Sequence, residues 1–341
     1  MKILVTGGAG FMGTNFILYL LKRYPRDKIV NLDKLTYAGN LENLKTVQHN
    51  PRYRFIRGDI CKRADVQKAM RNIDTVVHFA AESHVDRSIS GPAVFIQTNV
   101  IGTQILLDVV REKNIKRFHH ISTDEVFGSL PLKSRKKFFE KSAYEPNSPY
   151  AASKAAADHL VRAYYHTYGL PMTISNCTNN YGPYQFPEKI ISLFITNALQ
   201  GKKLPIYGQG KAVRDYIFVE DHSRAIDLII HKGKIGETYC LGGNSERNGI
   251  QIAETILKLI NQPARLKTFV KDREGHDLRY AMDYAKITRE LGWRPEVKFA
   301  TGIQKTIAWY QENQSWWKRI ISKQYLDSSR AYRNRQIIGN R

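Results

Sequence analysis

The opening residues, KILVTGGAGFMGTNFILYLLKRY, constrain the fold more than any other stretch of this chain. A short apolar run at 2–6 is broken by glycines and followed at once by an amphipathic segment, so a buried strand turns directly into a helix. Glycine permits that tight turn, lets the backbone approach a pyrophosphate, and lets helix and strand pack closely. The helix N-terminus then offers free N–H groups to phosphate oxygens. Two frames fit the glycines: Gly7, Gly10 and Gly13 as GxxGxxG, or Gly8, Gly10 and Gly13 as GxGxxG. Spacing does not choose between them.

The alternation continues. KIVNLD (28–33), YRFIRGD (53–59), DTVVHFAA (74–81), RFHHIST (117–123) and PMTISN (171–176) read as strands, and intervening segments such as 94–113 carry helical periodicity. Strand–helix alternation at this spacing predicts an α/β fold with a Rossmann-type doubly wound parallel sheet. After residue 176 strands shorten and glycine and proline become frequent, which predicts a smaller C-terminal α/β substrate domain with segments returning to the main sheet. The expected division is 1–176 for the cofactor, 177–322 for the substrate, and a basic, poorly ordered tail over 323–341.

With 341 residues and 42% apolar content, the chain can bury a large core. Three scattered cysteines, Cys61, Cys177 and Cys240, give neither a disulfide framework nor a cysteine zinc site. No metal is expected. No signal-peptide core opens the chain and no run approaches a membrane span, so the cytoplasm is the expected location. The net charge of +22 has local sources, KSRKK at 133–137 and the stretch from Trp317 onward. Without aromatic–basic interleaving it reads as solvated surface and not as a nucleic-acid or membrane site.

Asp33 closes the second strand about 20 residues beyond the glycines, where an acid accepts hydrogen bonds from both ribose hydroxyls and repels a 2′-phosphate. NAD is therefore favoured over NADP. Asp59, ending the third strand, is placed to hold the adenine amino group or to form a turn. Further on, Tyr150 and Lys154 stand four residues apart behind Pro149, on one face of a predicted helix. A tyrosine titrating near ~10 is a poor base. A nearby ammonium and a positive nicotinamide ring would lower that value and let Tyr150 take a proton from a sugar hydroxyl.

TGGAGFMG, HFAAESHVDRS, STDEVFG and YAASK occur in the order found in the extended short-chain dehydrogenase/reductase family, which the chain resembles. STDEVFG narrows the resemblance. An epimerase needs a tyrosine and a hydroxyl at this point, whereas adjacent Asp124 and Glu125 imply extra proton transfers. Oxidation at C4 acidifies the C5 proton; a base at C5 and an acid at the C6 hydroxyl then expel water. Thr123, Asp124 and Glu125 resemble the TDE of nucleoside-diphosphoglucose 4,6-dehydratases. There the threonine contacts the C4 oxygen, the aspartate is the acid and the glutamate the base. Asp124 must then be protonated at neutral pH.

The resemblance runs to about Tyr310, and SNCTNNYGPYQFPEKII, LPIYGQGKAVRDYIFVEDH and REGHDLRYAMD lie close to the dTDP-glucose branch. It implies substrate contacts at Ser83, Thr123, Asn179, Lys189, Ile190, Pro205, Tyr207, Arg214, Arg273, His276 and Tyr280. It implies cofactor contacts at Gly7, Gly10, Phe11, Met12, Gly13, Asp33, Lys34, Leu35, Thr36, Asp59, Ile60, Phe79, Ala80, Ala81, Ser83, Thr98, Tyr150, Lys154 and Asn180. Gly249 stands where asparagine is usual, with Asn248 one residue earlier, and Glu274 stands where proline is usual. UDP- and CDP-glucose dehydratases share TDE and are the alternatives, a catalytically idle scaffold that binds acidic partners a distant one. The resemblance also implies a homodimer joined through helices 94–113 and 149–168.

Overall fold

The computed structural model describes residues 1–322. Seven strands form the main sheet: β1 Lys2–Thr6, β2 Lys28–Asp33, β3 Tyr53–Arg57, β4 Thr75–His78, β5 Arg117–Thr123, β6 Met172–Cys177 and β7 Thr238–Leu241. Their order is β7-β6-β5-β4-β1-β2-β3, and every pairing is parallel. The direction reverses beside β1, so the C-terminal ends of β1, β4 and β5 open onto one crevice. A parallel sheet covered on both faces buries successive side chains alternately on either side. Ile3 and Val5 join one core with Phe16, Ile17 and Ile29, while Leu4 faces the other with Val30, Leu107 and Phe118.

The second lobe has its own core, in which Tyr181, Phe194, Ile206, Phe218, Ile256 and Ile303 are buried together. Its strands are short. Val213–Phe218 lies between Asn179–Tyr181 and Glu246–Asn248, and Leu204–Tyr207 pairs with Lys267–Val270. The chain crosses back between the two lobes. Helix Val219–Lys232 places Ile226 and Ile229 in the core of the main sheet, and β7 then closes that sheet's edge beside β6. The tail expected over 323–341 lies outside the described residues.

Two features depart from expectation. The helix read over 94–113 is not uniform: Ala93–Phe95 and Gly102–Glu112 are α-helical, and Ile96–Ile101 between them is a π-helical stretch. Such wide turns re-aim side chains within a helix. Here Asn99 points inward, accepting from the Glu82 N–H at 2.9 Å and donating to the Glu82 carbonyl and the Ser153 hydroxyl. The same run, Ala93–Glu112, is long and apolar enough by length and composition to cross a membrane, against the expectation that no run approached a span. Its apolar residues divide between two faces. Leu106, Leu107, Val109 and Val110 pack into the main core, and Val94, Ile96 and Ile101 are exposed.

Leu107 is fully buried among Phe118, Val161 and Met172. Leu107→Ala should lower the unfolding free energy by about 2–5 kcal/mol, the usual cost of a leucine-sized cavity, as read by chemical denaturation.

Candidate active site

The glycine turn resolves its own ambiguity of frame. Gly7 has φ +69°, and a Cβ there would lie 2.7 Å from the Ala80 backbone; one on Gly13 would lie 2.5 Å from the Gly7 carbonyl oxygen. Gly7, Gly10 and Gly13 line the crevice, whereas Gly8 is packed against Asn31 and Ile17. Helix Phe11–Arg23 begins at Gly10 with no side-chain cap and no acid in its first turn, so its N–H groups face the crevice free for an anion. Asp33 accepts from the Leu35 N–H at 2.8 Å and the Ala9 N–H at 2.9 Å. Burial raises its pKa, and these N–H groups pull it back. Lys34 does not oppose that carboxylate, because its ammonium lies 2.7 Å from Asp59. This turn, the open helix end and the seated acid fit a dinucleotide.

Helix Pro149–Tyr168 starts at Ser148, whose hydroxyl accepts from the Ala151 N–H at 3.1 Å, with Pro149 at its first position. Tyr150 and Lys154 enter the crevice from this helix, as the spacing predicts. Their electrostatics differ from expectation. Lys154 donates to the Ile121 carbonyl at 2.7 Å and to His120 Nε2 at 3.2 Å. Burial brings its pKa down to about 8. Tyr150 is held well above the usual tyrosine range, first by burial and then by the Glu125 charge; a hydrogen bond with Thr123 acts the other way. The protein alone therefore does not make Tyr150 a base, because its lysine's charge is directed toward β5.

Behind Lys154 lies a network that sequence reasoning missed. His120 Nε2 sits 3.3 Å from Asp158, and both are fully buried. Asp158 accepts from the Ser122 and Tyr144 hydroxyls, each at 2.8 Å, and from the Asn176 amide at 3.1 Å. Burial works against its charge, yet His120, Lys154 and Tyr144 hold its carboxyl below the usual range. Asp158 stands one helical turn beyond Lys154, the only signal in the sequence that could have found it.

Thr123 ends β5 and caps the short turn Asp124–Phe127, its hydroxyl accepting from the Glu125 N–H at 3.2 Å. The two acids that follow have different surroundings. Asp124 is 2% exposed, and burial and then Glu125 push its pKa well above the carboxylate range. Glu125 is also raised by burial, but Arg273, Lys189 and Arg214 pull it back. Burial thus favours the protonated form of one acid while its neighbour faces three cations, the kind of separation that acid and base roles require.

The second lobe supplies the far wall. Ser83, Asn179, Asn180, Lys189, Ile190, Pro205, Tyr207, Arg214, Arg273 and His276 line the same crevice as Thr123, Asp124, Glu125, Tyr150 and Lys154. Lys189 donates to the Ser83 carbonyl at 2.9 Å, and the Tyr207 hydroxyl donates to Asp86 at 2.9 Å. Burial brings His276 down to about 4 although Asp272 lies 2.6 Å away. Of the cofactor positions, Phe11, Met12, Lys34, Thr36, Asp59, Ile60, Phe79, Ala80, Ala81 and Thr98 also line it. Two anticipated positions do not. Leu35, with φ +58°, turns its backbone N–H to Asp33, and Tyr280 lies behind Arg214, whose guanidinium covers its ring at 4.2 Å. Asn248 is committed to capping helix Gly249–Leu259, which leaves Gly249 on the wall, and Glu274 is exposed away from it. Glu188 was not anticipated. It is partly buried in the wall, where Tyr37 donates to it at 3.1 Å and Arg87 lies at 3.8 Å.

Comparison with known proteins agrees with this geometry. The family model described as GDP-mannose 4,6 dehydratase matches residues 4–306. The dTDP-glucose 4,6-dehydratase of Salmonella typhimurium is 50% identical over 95% of this chain and 97% of its own, and that of Neisseria meningitidis is likewise 50% identical over 95% and 97%. The crystal structure of DesIV, a dTDP-glucose 4,6-dehydratase from Streptomyces venezuelae with NAD and TYD bound, superposes with a TM-score of 0.91 at 49% identity, covering 94% of this chain and all of that one. The UDP-glucose 4-epimerase of Thermotoga maritima gives 0.84 at 27% identity over 92% of this chain. The scaffold is shared between the two activities, so the fold alone does not separate them.

Because the Lys154 ammonium is lost through about pH 8, turnover should fall as pH rises through that value. Arginine stays charged throughout this range. Lys154→Arg should therefore move the basic limb of the pH–rate profile upward, even where the absolute rate drops.

Proposed function

This chain belongs to the dTDP-glucose 4,6-dehydratases of the extended short-chain dehydrogenase/reductase family, and from that membership we propose how its residues divide the chemistry. It is an NAD-dependent hydro-lyase that converts dTDP-glucose to dTDP-4-keto-6-deoxyglucose. The observation that carries the reading is the pair Asp124–Glu125, buried at the end of β5 in the crevice that also holds Tyr150. An epimerase has no use for that pair. Incubation with a panel of nucleotide-glucoses, read by mass for loss of one water, tests it directly.

Residues 1–176 form the cofactor domain, with Gly7, Gly10, Gly13 and Asp33 holding the dinucleotide, and 177–322 the nucleotide-sugar domain. Bound NAD supplies an acceptor that takes and returns one hydride, and a positive ring that favours the Tyr150 phenolate. Tyr150 removes the C4 hydroxyl proton while Thr123 holds the C4 oxygen. Glu125 removes the C5 proton, made acidic by the adjacent ketone, and Asp124 protonates the departing C6 hydroxyl. Glu125 then returns its proton to C5. Lys189, Arg214 and Arg273 face the diphosphate, as their donors and charges allow. The protein works in the cytoplasm as a homodimer. Val94, Ile96, Ile101 and Tyr168, exposed on the helices 93–112 and 149–168, support that assembly.

Glu125→Gln should yield the 4-keto sugar with its C6 hydroxyl still in place, detectable by mass. Tyr150→Phe should stop before any ketone forms. Asp124→Asn should slow water loss while C5–H exchange with deuterium persists. Each loss should be on the order of 10²–10⁴-fold. Near wild-type dehydration by Glu125→Gln would overturn these roles. Light scattering at micromolar concentration should give a dimer mass, and a monomer would exclude the proposed assembly.

A further inference from the structure

The glycine turn and Asp33, the features that fit a dinucleotide, are also the feet of one loop. Residues 34–39 leave Asp33 and pack back against it, so closely that a Cβ on Gly39 would lie 2.9 Å from Asp33 Oδ1. At the other foot the Asn40 N–H and the Asn43 side-chain amide donate to the Ala9 carbonyl at 2.9 and 3.1 Å. Lys34, Thr36, Ala38 and Gly39 line the crevice between these feet. Tyr37, among them in sequence, crosses instead to the second lobe.

Its hydroxyl donates to Glu188 at 3.1 Å, and its ring meets Phe186 edge-on with centroids 5.5 Å apart. Phe186 and Glu188 stand just before Lys189 and line the opposite wall. Arg87, from the first-lobe helix Val85–Ser90, completes the join. Its guanidinium lies 3.7 Å from the centre of the Tyr37 ring and 3.8 Å from Glu188. A hydrogen bond, a cation over an aromatic face and an aromatic edge contact are each modest alone. Here one side chain makes all of them, so they open together.

We propose that Tyr37 is the latch of the cofactor site. It joins the loop that stands on both dinucleotide anchors to the opposite wall, and a dinucleotide enters or leaves only while that join is open. Tyr37 is thereby a positioning residue for the reaction. The hydride taken from C4 is owed to C6 of the same sugar, and loss of the reduced dinucleotide between the two transfers would strand an oxidised sugar. The latch rests on NAD as the cofactor and on none of the acid and base assignments.

Protein carrying radiolabelled NAD is diluted into excess unlabelled NAD, and the label kept on the protein is followed by rapid gel filtration. Equilibrium dialysis against the same label gives the affinity. Tyr37→Phe keeps the ring beneath Arg87 and removes only the hydroxyl, so release should quicken severalfold. Tyr37→Ala removes every contact of the join, and release should quicken by on the order of ten- to hundredfold. A latch bars entry as well as exit, so uptake should quicken too, and affinity should fall by much less than release rises. Release no faster than in the unaltered protein overturns the latch. So does an affinity that falls by the whole factor of release, which makes Tyr37 an ordinary contact. Should Tyr37→Ala fail to fold, Tyr37→Phe decides by the same two measurements. If the unaltered protein retains no NAD, the cofactor reading fails and the latch with it. If it retains NAD without dehydrating dTDP-glucose, the catalytic roles fail while the exchange still judges the latch.

Discussion

The burial of the Lys154 ammonium is the constraint on which the site depends. A cation sealed between a helix and a sheet needs fixed acceptors, and here they are the Ile121 carbonyl and the His120 ring, with Asp158 behind as counter-charge. These contacts fasten helix Pro149–Tyr168 to β5. They set the position of Tyr150, one turn earlier on the helix, against Thr123, which ends that strand. The acids follow within two residues. A shift of the helix along the strand would separate phenol, hydroxyl and carboxyl together.

Electrostatics assigns the roles once geometry has gathered the groups. Asp124 and Glu125 are neighbours in sequence with the same chemistry, but Glu125 faces Arg273, Lys189 and Arg214, whereas at Asp124 the charge of Glu125 outweighs that of Arg214. Those cations come from the second lobe. The lobe that supplies the far wall of the crevice therefore also sets the two carboxyls apart.

Much of this was legible before any coordinates. Strands such as Lys2–Thr6 and Arg117–Thr123 are short apolar runs bounded by turn residues, and their spacing fixes a parallel sheet. Tyr150 and Lys154 are four residues apart on a helix with a proline at its start. Other features leave no periodic trace. The π-helical stretch at Ile96–Ile101 keeps the apolar pattern of an α-helix while moving Asn99 inward. The Lys34–Asp59 and Lys154–His120–Asp158 contacts join residues distant in sequence. Tyr280 matches a motif yet is screened from the crevice by Arg214, which pattern alone does not reveal. Spacing places Lys154 on the correct face without saying where its ammonium points, and in the protein alone burial holds Tyr150 above the usual tyrosine range.

The path of the chain after β6 has a mechanical consequence. The polypeptide enters the second lobe, comes back as helix Val219–Lys232 and strand β7 to complete the main sheet, and leaves again. Two bodies joined by one strand can swing like a door. Joined by several strands, one of them hydrogen-bonded into the edge of the sheet, they cannot part without tearing that edge. Traffic through the crevice is thereby left to side chains and loops at its rim. A rim that opens without the lobes parting suits a reaction that hands back every electron it borrows, since such a reaction need never exchange its dinucleotide between cycles.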